Sequence, residues 1–181
     1  MRRGDAGEQP ATIAERLAAE GRDVPALLQQ AADGDGFYKV VDGTRQYLTT
    51  SGGYADVVAP EGTLSLADVK LASERIAGNG SASLWDIGDG AVCLEVHTKM
   101  NSIDQDVLAM IAKAVKIVEK DHAALVIYNE GDQFSAGANL GLGLFAANTG
   151  LWPMIEELVS QGQKAYLALK YAPFPVVSAP S

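Results

Sequence analysis

The residues best placed for chemistry lie between Asn129 and Leu140. An apolar run, Leu125–Tyr128, ends at Asn129; Gly131 and Asp132 follow, then the small-residue stretch Ser135-Ala-Gly-Ala-Asn139. Apolar run, loop, tight glycine turn and helix form a grammar that presents backbone N–H groups to a ligand. Gly137 followed by the small Ala138 suits it, because a main chain without bulky side chains lets a ligand approach closely. The competing reading is an ordinary turn between a strand and a helix.

Other candidates carry less. Gly141-Leu-Gly143-Leu-Phe-Ala146 matches G-x-G-x-x-A in form, but a dinucleotide-binding motif should follow its strand directly and be answered by an acid about 20 residues on. Here loop and turn intervene, and Glu156 and Glu157 come too early. His97 and His122 have no partner at metal-ligand spacing, so no metal site is expected. Ser135 lies outside a Gly-x-Ser-x-Gly elbow. Cys93 alternates with apolar residues and is expected to be packed. Glu130 and Asp132 are acids beside the turn, read as solvated loop charges.

The elements that must position the turn can be read in order. Thr12–Glu20 is amphipathic and stops at Gly21, and Pro25 opens a second helix through Ala31. Phe37–Val41 and Thr44–Leu48 are β-prone, joined by Asp42-Gly43, a two-residue hairpin signal. Thr49–Gly62, with Gly52-Gly53 and Pro60, reads as a linker. Leu64–Ile76 reads as a helix stopped by Gly78-Asn-Gly80. Ser83–Ile87 and Val92–Val96 around Asp89-Gly90 make a second hairpin. Ser102 and Gln105 stand at capping-box spacing for a helix to Lys120, with Val107, Leu108, Ile111, Val115 and Val118 recurring at helical period. The run at Leu125 then gives β–α–β order and a right-handed crossover in an α/β layer. Trp152-Pro153 opens a helix with Ile155, Leu158, Val159, Tyr166, Leu167 and Leu169 on its apolar face, closed by Pro173 and Pro175. Val176–Ala179 begins one more strand.

The totals exclude several classes. With 181 residues and 48% hydrophobic residues the chain is long enough for a modest core. A net charge of −9 argues against nucleic acid, which requires clustered Lys and Arg. It does not argue against one anionic cofactor held by a local lysine and a helix N-terminus. A single cysteine excludes an internal disulfide and fits a reducing compartment. No apolar run approaches the ~20 residues of a membrane span, and Met1-Arg-Arg-Gly-Asp5 lacks the apolar core of a secretion signal. A cytoplasmic protein is expected.

Three segments, in order and spacing, resemble the crotonase (enoyl-CoA hydratase/isomerase) superfamily: His97-Thr-Lys-Met-Asn-Ser102, Phe134-Ser-Ala-Gly-Ala-Asn-Leu140 and Pro175-Val-Val-Ser-Ala-Pro180. The first departs from the family pattern, since Thr98 stands where proline is usual. The amino-terminal part, Ala14–Leu28 with Phe37-Tyr38, resembles the end of a 3-hydroxyacyl-CoA dehydrogenase. Ser83–Asn101 resembles the hydratase start in bacterial fusions that place the dehydrogenase first.

The resemblance implies an α/β fold, an incomplete crotonase-like ββα spiral domain preceded by a small helical and hairpin segment. It divides the chain into 1–62, dehydrogenase tail and linker; 63–82, a connecting helix; and 83–181, the first half of a crotonase-like domain. It implies an enoyl-CoA thioester as substrate, with the Ala138 amide as one of two donors to the thioester oxygen. Lys99, Asn101, Ser102, Ala136, Gly137 and Asn139 would contact coenzyme A. The second donor and the catalytic acids would lie beyond Ser181, and NAD would belong only to a dehydrogenase part before Met1. The chain alone is therefore expected to lack hydratase activity. Assembly as a homo-oligomer or with a thiolase is implied too. The rivals are another crotonase-type reaction and a non-catalytic acyl-CoA-binding module.

Overall fold

A computed structural model describes residues 9–138 and 140–180, arranged as two compact units, Met1–Ala72 and Ser73–Ser181. The first unit opens with α1 (Pro10–Ala19) and α2 (Ala26–Asp33), which bury Ala14, Leu28 and Ala31. Pro25 is the cap of α2 rather than its first residue. β1 (Tyr38–Val41) and β2 (Thr44–Leu48) pair in the expected hairpin, with Asp42 and Gly43 both at positive φ. Such a turn matches the twist of the flanking strands. Gly43 is required twice over: its φ is +76°, and a Cβ there would lie 2.8 Å from the Ala72 Cα. Part of the expected linker is β3 (Tyr54–Asp56), which pairs antiparallel with β2.

The helix expected over Leu64–Ile76 is shorter. It is α3 (Leu66–Ala72), burying Leu66 and Val69, and the rest becomes the strand β4 (Arg75–Gly78). Its pairing is with β5 (Ala82–Gly88), a tertiary choice that overrides local pattern.

In the second unit the sheet order is β4-β5-β6-β7-β8, where β6 is Ala91–Val96, β7 Ala124–Tyr128 and β8 Val176–Ser178. β4, β5 and β6 run antiparallel; β6, β7 and β8 run parallel. Helix α4 (Gln105–Asp121) links β6 to β7, and α5 (Leu140–Asn148) and α6 (Trp152–Lys170) link β7 to β8. This is the mixed α/β, strand–strand–helix arrangement that the resemblance implies.

The core joins Leu84, Val92, Leu94 and Leu125 of the sheet to Val107, Met110, Ile111, Ala114 and Val118 of α4. On α6 the buried side centres on Ala165, with Leu169 packed against the core, while Val159, Tyr166 and Leu167 are exposed. The expected apolar face of α6 was thus rotated too far.

The start of α4 also differs. Its cap is Asp104, whose carboxylate accepts the Val107 N–H at 2.8 Å and the Ser81 hydroxyl at 2.7 Å. Ser102 lies outside the helix, and its carbonyl accepts the Thr98 hydroxyl. Replacing Asp104 with alanine should cost about 1 kcal/mol through loss of the cap, with a further loss because Ser81 is buried. A urea titration of the two proteins measures it, and an unchanged midpoint would disprove the assignment.

Candidate functional site

Strand β6 ends at Val96 and β7 at Tyr128, side by side in a parallel pair. The two loops leaving these ends, residues 97–104 and 129–138, therefore emerge at one edge of the sheet. They are tied together by three side chains. Asn129, 2% exposed, accepts the Val96 N–H at 3.0 Å and donates to the Phe134 carbonyl at 2.6 Å. Asn101, 6% exposed, donates through its carboxamide nitrogen to the Glu130 and Gln133 carbonyls, both at 3.0 Å. Ser135 donates to the Asn101 carbonyl at 2.7 Å and accepts the Gly137 N–H at 3.0 Å. Buried polar groups need such partners, and here each one pins a loop.

Backbone contacts complete the link. Ala136 N–H donates to the Met100 carbonyl at 3.0 Å, and Ile103 N–H donates to the Gly137 carbonyl at 2.8 Å. Met100 and Asn101 hold φ of 58° and 50° in a one-turn 3₁₀ segment, Lys99–Asn101. Positive φ in two successive non-glycine residues is costly. It persists here because the Asn101 carboxamide nitrogen is held by two carbonyls of the facing loop, those of Glu130 and Gln133.

The structure thus brings together most of the residues singled out from the sequence. Ala136, Gly137 and Ala138 are exposed on one loop, and Lys99 and Ser102 lie on the other, Lys99 exposed. Among the described residues nothing accepts the Ala138 N–H, and Ala138 pairs with Ile103 through an isolated parallel bridge. Asn101 is buried, its carboxamide nitrogen bonded to protein carbonyls, its backbone N–H donating to the Thr98 carbonyl and its own carbonyl accepting the Ser135 hydroxyl. Asn139 lies outside the described residues. Glu130 and Asp132 are exposed, and Cys93 is buried.

Gly141 and Gly143 sit inside α5, so neither glycine opens a loop that could cradle a phosphate. His97 bonds with the Ser83 hydroxyl at 2.9 Å, and the His122 N–H closes α4 on the Val118 carbonyl. Among the described residues no group of three or more His, Cys, Asp or Glu is placed to hold a metal ion, and no helix is long and apolar enough to cross a membrane.

Beside the loops lies a cavity of about 390 Å³. Leu94, Val96 and Ile127 of the sheet, Val107 and Ile111 of α4, and Leu169 of α6 form its apolar walls. Ile103, Asn129 and Phe134 close the side toward the turn, and Tyr166, Lys170 and Ser178 add polar atoms. Sequence reasoning placed Asn129 and Phe134 in the loop and motif but gave them no role, and it missed this polar rim. The signal for Asn129 was available: a carboxamide directly after an apolar strand run, where the chain must turn.

No family model matches the chain. Over 169 residues, 92% of its length, it is 33% identical to a protein of Bacillus subtilis (strain 168) described as "Probable 3-hydroxyacyl-CoA dehydrogenase", covering 21% of that protein. Over 111 residues it is 33% identical to a "Putative fatty acid oxidation complex trifunctional enzyme" of Rickettsia felis, covering 61% of this chain and 15% of that one. The chain therefore spans about a fifth or less of the length of these relatives. Among solved structures, an enoyl-CoA hydratase from Bacillus halodurans aligns with a TM-score of 0.49 and 15% identity, over 55% of this chain and 41% of that one.

Proposed function

We propose that this chain, which is similar to bacterial proteins described as a probable 3-hydroxyacyl-CoA dehydrogenase and a putative fatty acid oxidation complex trifunctional enzyme, forms the first half of a crotonase-type enoyl-CoA hydratase/isomerase site fused behind a 3-hydroxyacyl-CoA dehydrogenase. The observation that carries the reading is the turn at Gly137-Ala138: on exposed Ala138, a backbone N–H that no described residue accepts, in a peptide whose carbonyl is tethered, within the segment that resembles the family's oxyanion turn. Adding water to an enoyl thioester places negative charge on the thioester oxygen. A fixed amide aimed at that oxygen stabilises the charge, and one such donor is worth on the order of 10²–10³ in rate.

In this reading Ala138 supplies that donor. Lys99 and the backbone around Asn101, Ser102, Ala136, Gly137 and Asn139 hold coenzyme A, and the apolar cavity suits the hydrocarbon part of the acyl group. Residues 1–62 belong to the dehydrogenase end, 63–82 to the junction and 83–181 to the hydratase. The second donor and the acids that manage water and proton come from sequence following Ser181, and NAD serves only the dehydrogenase part. The protein works in the cytoplasm, with assembly as a homo-oligomer or with a thiolase.

The intact mass of the protein from its native source, followed by an absorbance assay on an enoyl thioester, tests this. A mass well above 19.0 kDa with turnover is expected, while the 181-residue chain alone stays at the blank rate. Turnover by the chain alone would overturn the placement of the acids. A longer native protein that leaves the thioester untouched would overturn the reaction. Calorimetry with coenzyme A distinguishes the remaining rival, since a binding module must take up the ligand without the other half.

A further inference from the structure

We propose that Ser135 is a positioning residue for the thioester-oxygen donor, an inference that rests on the hydratase reading. A peptide unit is planar and trans, so its carbonyl and its N–H point in opposite directions. The unit joining Gly137 to Ala138 carries the proposed donor at one end. Its other end, the Gly137 carbonyl, is held by Ile103 N–H at 2.8 Å. One tether fixes a point but leaves the plane free to rock about it.

Ser135 supplies the second tether. Its hydroxyl accepts the Gly137 N–H at 3.0 Å and donates a hydrogen bond to the Asn101 carbonyl at 2.7 Å. A hydroxyl has one proton and can accept as well, so both capacities are used, each in a defined direction. The neighbouring peptide is thereby locked to the 3₁₀ segment, which is itself braced by the buried Asn101 side chain. Gly137, at φ +77° and with no described residue beyond its chain neighbours within 4 Å of where a Cβ would be, has no side chain of its own to resist rotation. The task falls to the hydroxyl two residues earlier.

The consequence is specific. An alanine at 135 frees the Gly137 N–H and the Asn101 carbonyl. Because Gly137 is exposed, water can take the place of the hydroxyl there, so the unit should stay folded. What changes is the aim of the next N–H. Charge on the thioester oxygen is greatest in the transition state, so poorer aim lowers kcat more than it weakens binding.

The test is steady-state hydration of an enoyl thioester by the protein as purified from its native source, with Ser135→Ala and Ser135→Thr. We expect kcat to fall roughly 10- to 100-fold in Ser135→Ala, with KM within about twofold. Threonine keeps the hydroxyl and should restore most of kcat. Amide hydrogen exchange should quicken at Gly137 and Ala138 in the alanine variant, while the core amides of β6 and β7 stay protected.

Unchanged kcat in an active protein carrying Ser135→Ala would overturn the proposal and leave the hydratase reading standing. So would a threonine variant as impaired as the alanine one, or a loss confined to KM. If the unsubstituted protein shows no turnover, the hydratase reading itself falls.

Discussion

On the hydratase reading proposed above, replacing Gly137 with valine in the native protein should lower enoyl-thioester turnover on the order of 10²–10³-fold, the effect of losing one oxyanion donor, while the protein stays folded. The argument starts from the backbone. Gly137 has φ +77°, the left-handed region in which an L-residue costs about 1–2 kcal/mol and a β-branched one more. Among the described residues other than its chain neighbours, no atom lies within 4 Å of where its Cβ would stand, so the cost is conformational rather than steric. The chain relieves that cost by rotating φ and ψ at residue 137, and ψ turns the peptide that bears the Ala138 N–H. Relief of strain and loss of aim are therefore the same motion.

The loop sits at the end of the sheet, outside the core formed by Leu84, Leu94, Leu125 and α4. Stability should accordingly fall by no more than about 1–3 kcal/mol. Melting curves and kcat on the same preparations distinguish the outcomes. A valine variant that loses stability but keeps its rate would show that the Ala138 amide does not act on the substrate. Ala138→Pro removes the proton outright and should match the valine variant in rate.

How far this site could be read from the sequence depends on the range of the interactions. Asp42-Gly43 and Asp89-Gly90 announced their hairpins because the signal is local: two adjacent residues that tolerate positive φ. The Gly137-Ala138 turn was legible for the same reason. The brace around it was not. Asn101 reaches Glu130 and Gln133, Ser135 reaches back to Asn101, and Asn129 reaches back to Val96, separations of about 30 residues that only the parallel pairing of β6 and β7 closes.

β4 escaped for a related reason. Arg75-Ile-Ala-Gly78 has too few apolar residues to set a period, and its strand character comes from β5. At α4, Ser102 and Gln105 fitted a capping box, yet Asp104 won. The 98–102 turn holds Ser102 in its own hydrogen bonding and leaves the Asp104 carboxylate facing the Val107 N–H.

The Asn129 carboxamide carries the largest stability effect expected at the site. Its oxygen takes the Val96 N–H and its nitrogen gives to the Phe134 carbonyl, with the side chain 2% exposed. Alanine would leave both backbone groups without this partner, at about 1–3 kcal/mol each, and open space at the end of β7. A loss of about 2–5 kcal/mol is expected, seen as a fall in Tm on the order of 10 °C.

Aspartate tests the direction of the second bond. It keeps an acceptor for Val96 N–H, but as a carboxylate it faces the Phe134 carbonyl oxygen with no proton to offer. Burial and that oxygen both disfavour the charge, so the folded-state pKa should rise above the unfolded value of about 3.9. A raised carboxylate pKa means that the native state binds the proton more readily than the unfolded chain does. The penalty relative to asparagine is therefore full above the folded pKa and shrinks as pH falls through it. Urea midpoints for Asn129→Asp and the unsubstituted protein should accordingly converge as pH falls from neutrality through the raised folded pKa toward the unfolded value of about 3.9. A gap that stays constant across that range would mean that water, rather than the Asn129 nitrogen, holds the Phe134 carbonyl, and that the loop is braced by Asn101 and Ser135 alone.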